Sequence, residues 1–352
     1  MSALSRVPSY AFRVPVSGDI GERKNVVRDL VATMNSHLGW DEEETKSKIK
    51  VTPYELGLTN QLYKCELEQD VEAFEKRNME VMVRVFGKGS DEMLDREAEL
   101  NIMTQVEEEY VKCKFENGIV VTFFAGECLR PLNLLEPDKR SKIAAKMALL
   151  HKVILVDTDG EPLTKNWFFR VHKWISIIEE HLPQFTTEVH GKTVNCATLR
   201  SSLEDLQTKI SLKNYDVVCC HGDINAENCI FNKAENTITF IDFEYCCNFF
   251  RGFDIGNHFC EYAGVERNLD FDKYFPSLDQ RTEFVRQYCE SFYGSACSED
   301  KIMALLLEAD DGALLSHFFW GVWGLVQSTC SSLEFDFTDY ARKRLFRFYS
   351  SI

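Results

Sequence analysis

The sequence predicts an α+β fold of two lobes, a small sheet-plus-helix lobe over residues 1–129 and a larger, mainly helical lobe over residues 130–352. Three observations carry that expectation. Strand-like runs at 52–68, 80–87 and 118–129 accompany one helical stretch, MLDREAELNIMTQVEEE, in the first third of the chain. After it, apolar residues recur at helical spacing: Ile143, Met147, Leu150 and Ile154; Trp167, Val171, Trp174, Ile178 and Leu182; Leu199, Leu203, Leu206 and Ile210. Into that helical half are set three short strand candidates, VVCC (217–220), NCIFN (228–232) and TITFIDF (237–243).

In chain order, residues 1–20 read as irregular, and Val27, Leu30, Met34 and Leu38 mark a short helix before Trp40. The first strand-like run is interrupted by the turn Gly57-Leu58-Thr59-Asn60, so it reads as two strands. The polar stretch EQDVEAFEKRNME (68–80) is expected to be an extended hairpin connection. Residues 183–198, PQFTTEVHGKTVNCAT, carry no clear signal. Helices return from about residue 279 to the end, with no internal repeat and no low-complexity segment.

Composition narrows the partners. Apolar residues make up 45% of the 352, enough for a large core. The formal net charge is −16, from 56 acidic against 40 basic residues. That excess argues against a nucleic-acid or anionic-membrane binder and suits a cationic substrate; the plainer reading is an acidic surface that serves solubility. The 13 cysteines include no CxxC pair, so buried free thiols in a reducing compartment account for them better than zinc or a disulfide framework. The N-terminal residues contain no apolar run of signal-peptide type, and the apolar stretch 313–326 is too short to span a bilayer and carries Ser316 and His317. A cytoplasmic protein is expected.

The densest polar cluster is VVCCHGDINAENCIFN (217–232). A turn between strands would explain it, but the spacing offers more. Asp223 follows a strand candidate, Asn228 follows with four residues between, and Asp242 ends TITFID. NCIFNKAENTITF has the form of a hairpin, whose closure brings Asp223, Asn228 and Asp242 together. Phosphoryl transfer from ATP needs a carboxylate to orient the attacking hydroxyl and take its proton, and oxygen ligands for Mg²⁺. Protein kinases place these groups in HRDxxxxN and a later DFG aspartate; here HGDxxxxN and IDFEY keep the order. Asp223 is the candidate base, Asn228 and Asp242 the candidate metal ligands, and His221 is expected to hold the loop by hydrogen bonding without exchanging protons with substrate.

Such chemistry also needs a cation on the nucleotide phosphates, fixed by a helix carboxylate. Arg84 in VMVRVFG is the candidate cation and Glu97 in LDREAEL its partner, with Glu99 as the rival. The Gly57, Thr59 and Asn60 turn could cover phosphates with backbone N–H groups and side chains. Taken alone, an ordinary turn and a solvated strand arginine explain these residues equally well.

At these motifs the chain resembles the choline/ethanolamine kinase family, relatives of the aminoglycoside phosphotransferases. The resemblance covers about Pro53 to Phe348 and is densest in IDFEYCCNFFRGFDIGNHFCEYAG (241–264), SHFFWGVWGLVQS and LEFDFTDYA. It implies a protein-kinase-like two-lobed fold and transfer of the ATP γ-phosphate, with Mg²⁺, to the hydroxyl of ethanolamine or choline, the first step of the CDP-ethanolamine or CDP-choline route to phospholipids. Homodimers are common in the family. One residue departs: the eukaryotic members usually carry Asn after the motif histidine, where this chain has Gly222, as the aminoglycoside enzymes do.

By the same resemblance Tyr245, Glu261, Trp320, Trp323 and Tyr340 line the amino-alcohol pocket. Trp320 and Trp323 share a helix face, and aromatic faces attract an ammonium ion at roughly 0.5–2 kcal/mol each, although tryptophans at this spacing are by themselves more often core. Asp254, in FDIGNHF, is expected to brace the catalytic loop, with negative charge toward the substrate as a second role. HFCEYAGV, SHFFWG and EFDF look more like ethanolamine kinases and FEYCCNFFRGFDIGNHFCE more like choline kinases. Ethanolamine is the expected substrate, with choline or both as the alternative. An aminoglycoside kinase and a non-catalytic binding protein are the remaining readings; GNHFCE and WGVW count against the first, and the intact Asp223, Asn228 and Asp242 against the second.

Overall fold

A computed structural model of the chain describes residues 7–38, 40, 45–54, 60–68, 80–87, 96–106, 110–156, 167–189, 191–264, 269–331 and 334–351. These fall into two units, one ending at Phe124 and the other beginning at Ala125.

The first unit contains β1 (Ser9–Tyr10), α1 (Ile20–Thr33), α2 (Asn35–Leu38), α3 (Thr45–Lys48), β2 (Ile49–Tyr54), β3 (Asn60–Leu67), β4 (Glu80–Phe86), α4 (Arg96–Val106), β5 (Val111–Phe115) and β6 (Gly118–Thr122). The strands form one sheet in the order β1-β5-β6-β4-β3-β2, antiparallel except for the β1–β5 pair. Val27, Leu30 and Val31 of α1, with Met34 just after it, pack against Tyr63, Cys65, Val83, Val85 and Val120 of the sheet. The helix begins earlier than its apolar spacing indicates. Asp19 caps it, accepting from the backbone N–H of Gly21 at 2.8 Å and Glu22 at 3.1 Å, and a capped polar first turn leaves no trace in the apolar pattern.

Two sequence expectations change here. The run 118–129 is not one strand. It breaks at Gly126, whose φ is +147° and where an added Cβ would lie 2.5 Å from the carbonyl oxygen of Phe231. Residues 111–115 form an unexpected strand, VKCKF, whose alternating buried and half-buried residues pair with β6. Residues 69–79, the expected hairpin connection, lie outside the described residues; the strands on either side pair antiparallel, with Glu66 opposite Glu80.

The second unit contains β7 (Glu127–Cys128), α5 (Pro137–Leu150), α6 (Trp167–His181), β8 (Thr186–Val189), β9 (Lys192–Asn195), α7 (Cys196–Ser211), β10 (Val217–Cys220), β11 (Cys229–Asn232), β12 (Thr237–Phe240), β13 (Cys247–Phe250), α8 (Arg251–Cys260), α9 (Phe271–Tyr274), α10 (Leu278–Tyr293), α11 (Glu299–Cys330) and α12 (Phe337–Ser350). The segment that gave no signal, 183–198, holds the β8–β9 hairpin and the capped start of α7, where Asn195 Oδ1 accepts from Thr198 N at 3.0 Å. The expected hairpin forms as β11–β12, with Cys229 opposite Phe240 and Asn232 opposite Thr237. Strand β13, not expected from the sequence, pairs antiparallel with β10 and sets Cys220 opposite Cys247.

Helix α11 runs 32 residues and α8 is buried along its whole length. The two meet closely because glycines line the contact: a Cβ added to Gly312 would lie 1.8 Å from the carbonyl oxygen of Gly252, and one added to Gly256 would lie 2.2 Å from that of Ala309. Among the described residues no helix is long and apolar enough to cross a membrane. All 13 cysteines are free thiols, most of them buried.

Candidate active site

The loop between β10 and β11 is built around Asp223. The Asn228 side-chain amide donates to the Asp223 carboxylate Oδ2 and to its backbone carbonyl, both at 2.9 Å. Asn225 Nδ2 donates to the other carboxylate oxygen at 3.1 Å, and Asn225 Oδ1 accepts the Asn228 backbone N–H at 3.0 Å. Asn225 was not singled out from the sequence; an Asn two residues after a loop aspartate was its signal. The hairpin returns Ile241 to Asn228, with an N–H···O bond of 3.1 Å, so Asp242 lies beside the loop. Asp242 holds φ at +67°, a left-handed conformation that costs a non-glycine residue energy and recurs at functional sites.

Gly222 has φ of +84°, and an added Cβ would lie 2.6 Å from the carbonyl oxygen of Tyr245. Asparagine tolerates that φ, but here the closeness of the Tyr245 backbone favours glycine.

His221 is buried and neutral, its pKa lowered chiefly by burial, against the opposing pull of Asp254 and Asp242. The Asp223 backbone N–H donates to His221 Nδ1 at 3.3 Å, so Nε2 carries the proton and donates to the Ile241 carbonyl at 3.0 Å. One ring thus ties the loop to the hairpin.

Asp254 accepts the backbone N–H of His221 at 2.6 Å and of Gly222 at 2.8 Å, and meets His151 Nε2 at 3.1 Å. His151 Nδ1 in turn meets the Tyr288 hydroxyl at 2.8 Å. Both oxygens of this fully buried carboxylate are engaged by protein, an arrangement that fits the bracing role expected of Asp254 better than contact with a substrate. The carboxyl of Asp223 is pushed well above the usual carboxylate range, first by burial and then by the negative charges of Glu261 and Asp242.

An aromatic cluster stands next to this loop. Tyr245 and Trp320 meet edge to face with centroids 5.1 Å apart, Trp320 and Trp323 at 5.4 Å, and Trp323 and Tyr340 at 6.0 Å. The Trp323 indole N–H donates to the Tyr245 hydroxyl at 2.8 Å. Phe335, half-buried and not marked by the sequence, meets Tyr340 at 6.0 Å. Glu261 is buried and its Oε1 accepts from Arg344 at 2.7 Å; the guanidinium also lies 5.4 Å from the Tyr340 ring. Arg344, four residues after Tyr340, shares its helix face, which was the missed signal. Glu261 and Asn225 also border a cavity of about 1150 Å³. The arrangement sets a carboxylate-bearing loop against an apolar, electron-rich cluster suited to an ammonium group.

In the first unit Arg84 donates to Glu99 Oε1 at 2.7 Å, and Arg96 to Glu99 Oε2 at 2.6 Å. Glu97 is exposed while Glu99 is buried against Arg84, so the partner of Arg84 is the rival Glu99. The helix face decides it: on α4, position 99 points at the sheet and position 97 does not. Asn60 opens β3, opposite Phe86, while Gly57 and Thr59 lie outside the described residues.

Residues 51–349 match the choline/ethanolamine kinase family model. A probable ethanolamine kinase A of Dictyostelium discoideum is 30% identical over 299 residues, which cover 84% of this chain and 83% of that protein. The solved ethanolamine kinase of Plasmodium vivax superposes with a TM-score of 0.73 at 25% identity, covering 97% of this chain and all of the other. An aminoglycoside phosphotransferase superposes at 0.53 with 16% identity over 91% of this chain and 97% of its own, a likeness of fold alone. With HGDxxxxN and IDFEY gathered around Asp223 and the match running through both units, the chain belongs to the choline/ethanolamine kinase family.

Proposed function

We propose that the protein phosphorylates the hydroxyl of ethanolamine with Mg·ATP, giving phosphoethanolamine and ADP, the first committed step toward a phosphoethanolamine lipid headgroup. The observation that carries this reading is the placing of Asp223, held by Asn225 and Asn228, next to Glu261 and the Tyr245–Trp320–Trp323–Tyr340 cluster. Use of ATP follows from the family.

Asp223 is the base that orients the acceptor hydroxyl and takes its proton as the new O–P bond forms. Asn228 spends its amide N–H groups on Asp223, which leaves its side-chain oxygen, with the Asp242 carboxylate, as hard ligands suited to Mg²⁺. Bound there, Mg²⁺ would offset charge on the transferring phosphoryl group. Arg84, fixed by Glu99, is proposed to engage nucleotide phosphates. His221 acts only through the loop it holds.

The acceptor's ammonium group is proposed to sit among the aromatic rings. A primary ammonium has three N–H donors that need acceptors, and Glu261 Oε2 and the Tyr245 hydroxyl supply them. Choline, which has no N–H, draws only on the rings and on charge. The relatives named as ethanolamine kinases favour the primary amine. Choline is the second reading, since the same rings would also receive a trimethylammonium head. A homodimer, implied by the family resemblance, is proposed as its assembly.

ADP release over ethanolamine, choline, an aminoglycoside and no acceptor tests the reading. Higher kcat/KM with ethanolamine than with choline, abolished by Asp223→Ala with the fold retained, is the expected result. Turnover with the aminoglycoside alone, or undiminished turnover in Asp223→Ala, would overturn it.

A further inference from the structure

One face of α8 holds the catalytic loop on both sides of Asp223. Asp254 accepts from the N–H groups of His221 and Gly222, Asn257 Nδ2 reaches the Gly222 carbonyl at 3.4 Å, and His258 Nδ1 meets the Ile224 carbonyl at 2.9 Å. Positions 254, 257 and 258 lie on one helical stripe, so this is a single rigid cradle. Asn257 alone of the three also reaches the aromatic cluster. Its Oδ1 accepts from the Trp320 indole N–H at 2.8 Å and from the Ser316 hydroxyl at 2.7 Å, two residues one turn apart on α11. Asn257 is fully buried, and these bonds use both lone pairs of its oxygen.

We infer that Asn257 is a positioning residue that fixes the separation between the ammonium-binding rings and the base, and so makes the enzyme select the acceptor by its length from nitrogen to oxygen. The inference rests on the amino-alcohol reading of the site. A short acceptor such as ethanolamine has two carbons between its charged end and its reacting oxygen. When the ring wall and the base are tied through one amide, only an acceptor of matching span places its hydroxyl at Asp223 while its ammonium group stays on the rings. An acceptor one methylene longer must buckle or leave one of the two contacts. Misplacement of a reacting atom by about 1 Å can cost on the order of a hundredfold in rate, so a fixed spacing discriminates strongly. Trp320 could have been held by packing alone; instead its one polar atom is bonded to the residue that touches the catalytic loop.

The test compares kcat/KM for ethanolamine and 3-amino-1-propanol at saturating Mg·ATP in the wild type, Asn257→Ala, Trp320→Phe and Ser316→Ala. Trp320→Phe keeps an aromatic wall while removing the N–H donor together with part of the ring, so it stands in should Asn257→Ala fail to fold. The wild type is expected to favour ethanolamine strongly, and both Asn257→Ala and Trp320→Phe to shrink that ratio by about tenfold or more. Ser316→Ala, which leaves the Trp320 bond in place, is expected to shrink it less, and the KM for ATP is expected to stay within about twofold in all three, as for interactions that serve only the acceptor. Equal loss on both acceptors with the ratio unchanged would assign Asn257 a merely structural role and overturn the inference. A wild type indifferent to length would do the same. A wild type that uses neither amino alcohol would instead overturn the proposed function, and this inference with it.

Discussion

Glu99 sits between two arginines, Arg84 at 2.7 Å and Arg96 at 2.6 Å, with almost no access to water. Its loss would leave two buried guanidinium groups without their shared anion, which is costly because removing one partner of a buried ion pair typically destabilises by about 3–5 kcal/mol. Glu99→Gln keeps the shape and an acceptor oxygen, so the fold should survive while Arg84 loses its fixed orientation. The KM for ATP should then rise by about tenfold or more, the size of one lost charge-assisted contact, with the acceptor KM little changed. Exposed Glu97→Gln should leave both constants near wild type; a larger effect at Glu97 than at Glu99 would reverse the assignment. His258 offers a second test at this scale. Burial lowers its pKa from 6.5 to about 4, against the opposing pull of the Ile224 carbonyl and Asp254. The folded chain keeps the ring neutral where the unfolded chain takes up a proton, so this stability is complete above pH 6.5 and is lost as pH falls toward 4. Two and a half units correspond to about 3 kcal/mol. His258→Asn retains a donor for the Ile224 carbonyl and removes the titration. Its urea midpoint should fall less steeply than wild type between pH 6.5 and 4.5, and parallel slopes would refute the account.

At the scale of elements, the pair α8 and α11 holds the site together. Gly252, Gly256 and Gly312 let the helices approach until backbone touches backbone, and the same two helices carry Asp254, Asn257, Ser316 and Trp320. Gly312→Ala would place a methyl group 1.8 Å from a carbonyl oxygen that cannot swing aside. The helices must separate, at about 1–3 kcal/mol for overpacking, and the aromatic rings should shift relative to the loop. A lowered urea midpoint together with a raised acceptor KM is expected. Met303→Ala, at an exposed position of α11, should move the midpoint by less than about 0.5 kcal/mol. Equal midpoints for the two variants would mean that the close contact carries no strain. This level was also where the sequence was least legible. The β11–β12 hairpin was readable because NKAEN punctuates two short apolar runs, and its closure brought Asn228 beside Ile241 and Asp242. Strand β13 was not, since CNFF lies in a continuous apolar run that continues into α8 and offers no change of period. Strand β5 was lost among charges, although VKCKF alternates cleanly. Glu97 was preferred to Glu99 because helix phase depends on where α4 begins, and Ser90, Asp91 and Asp95 each offer a start in the sequence.

For the molecule as a whole, order along the chain was legible and contact between distant segments was not. The β-rich first part, the helical second part and the loop chemistry of Asp223 follow from local pattern, whereas Arg344 beneath Glu261 joins positions 83 residues apart. What composition does set globally is charge. A net −16 produces a field that draws cations, and the acceptor is proposed to be one. The field is screened over about 30 Å at 0.01 M salt and about 10 Å at 0.1 M, so its help to a diffusing ammonium ion should fade as salt rises. With Mg·ATP held saturating, kcat/KM for ethanolamine should fall by about two- to tenfold between 0.01 and 0.3 M NaCl, as expected for steering, while kcat stays level. The matched measurement is an uncharged acceptor of the same span, ethylene glycol, whose low turnover should show no such slope. If both acceptors respond alike, salt acts on the protein or on the nucleotide, and the acidic surface serves solubility. If only the cation responds, the excess of carboxylates acts on catalysis before the substrate reaches the rings, and reversing surface charges far from Asp223 should weaken kcat/KM without touching kcat.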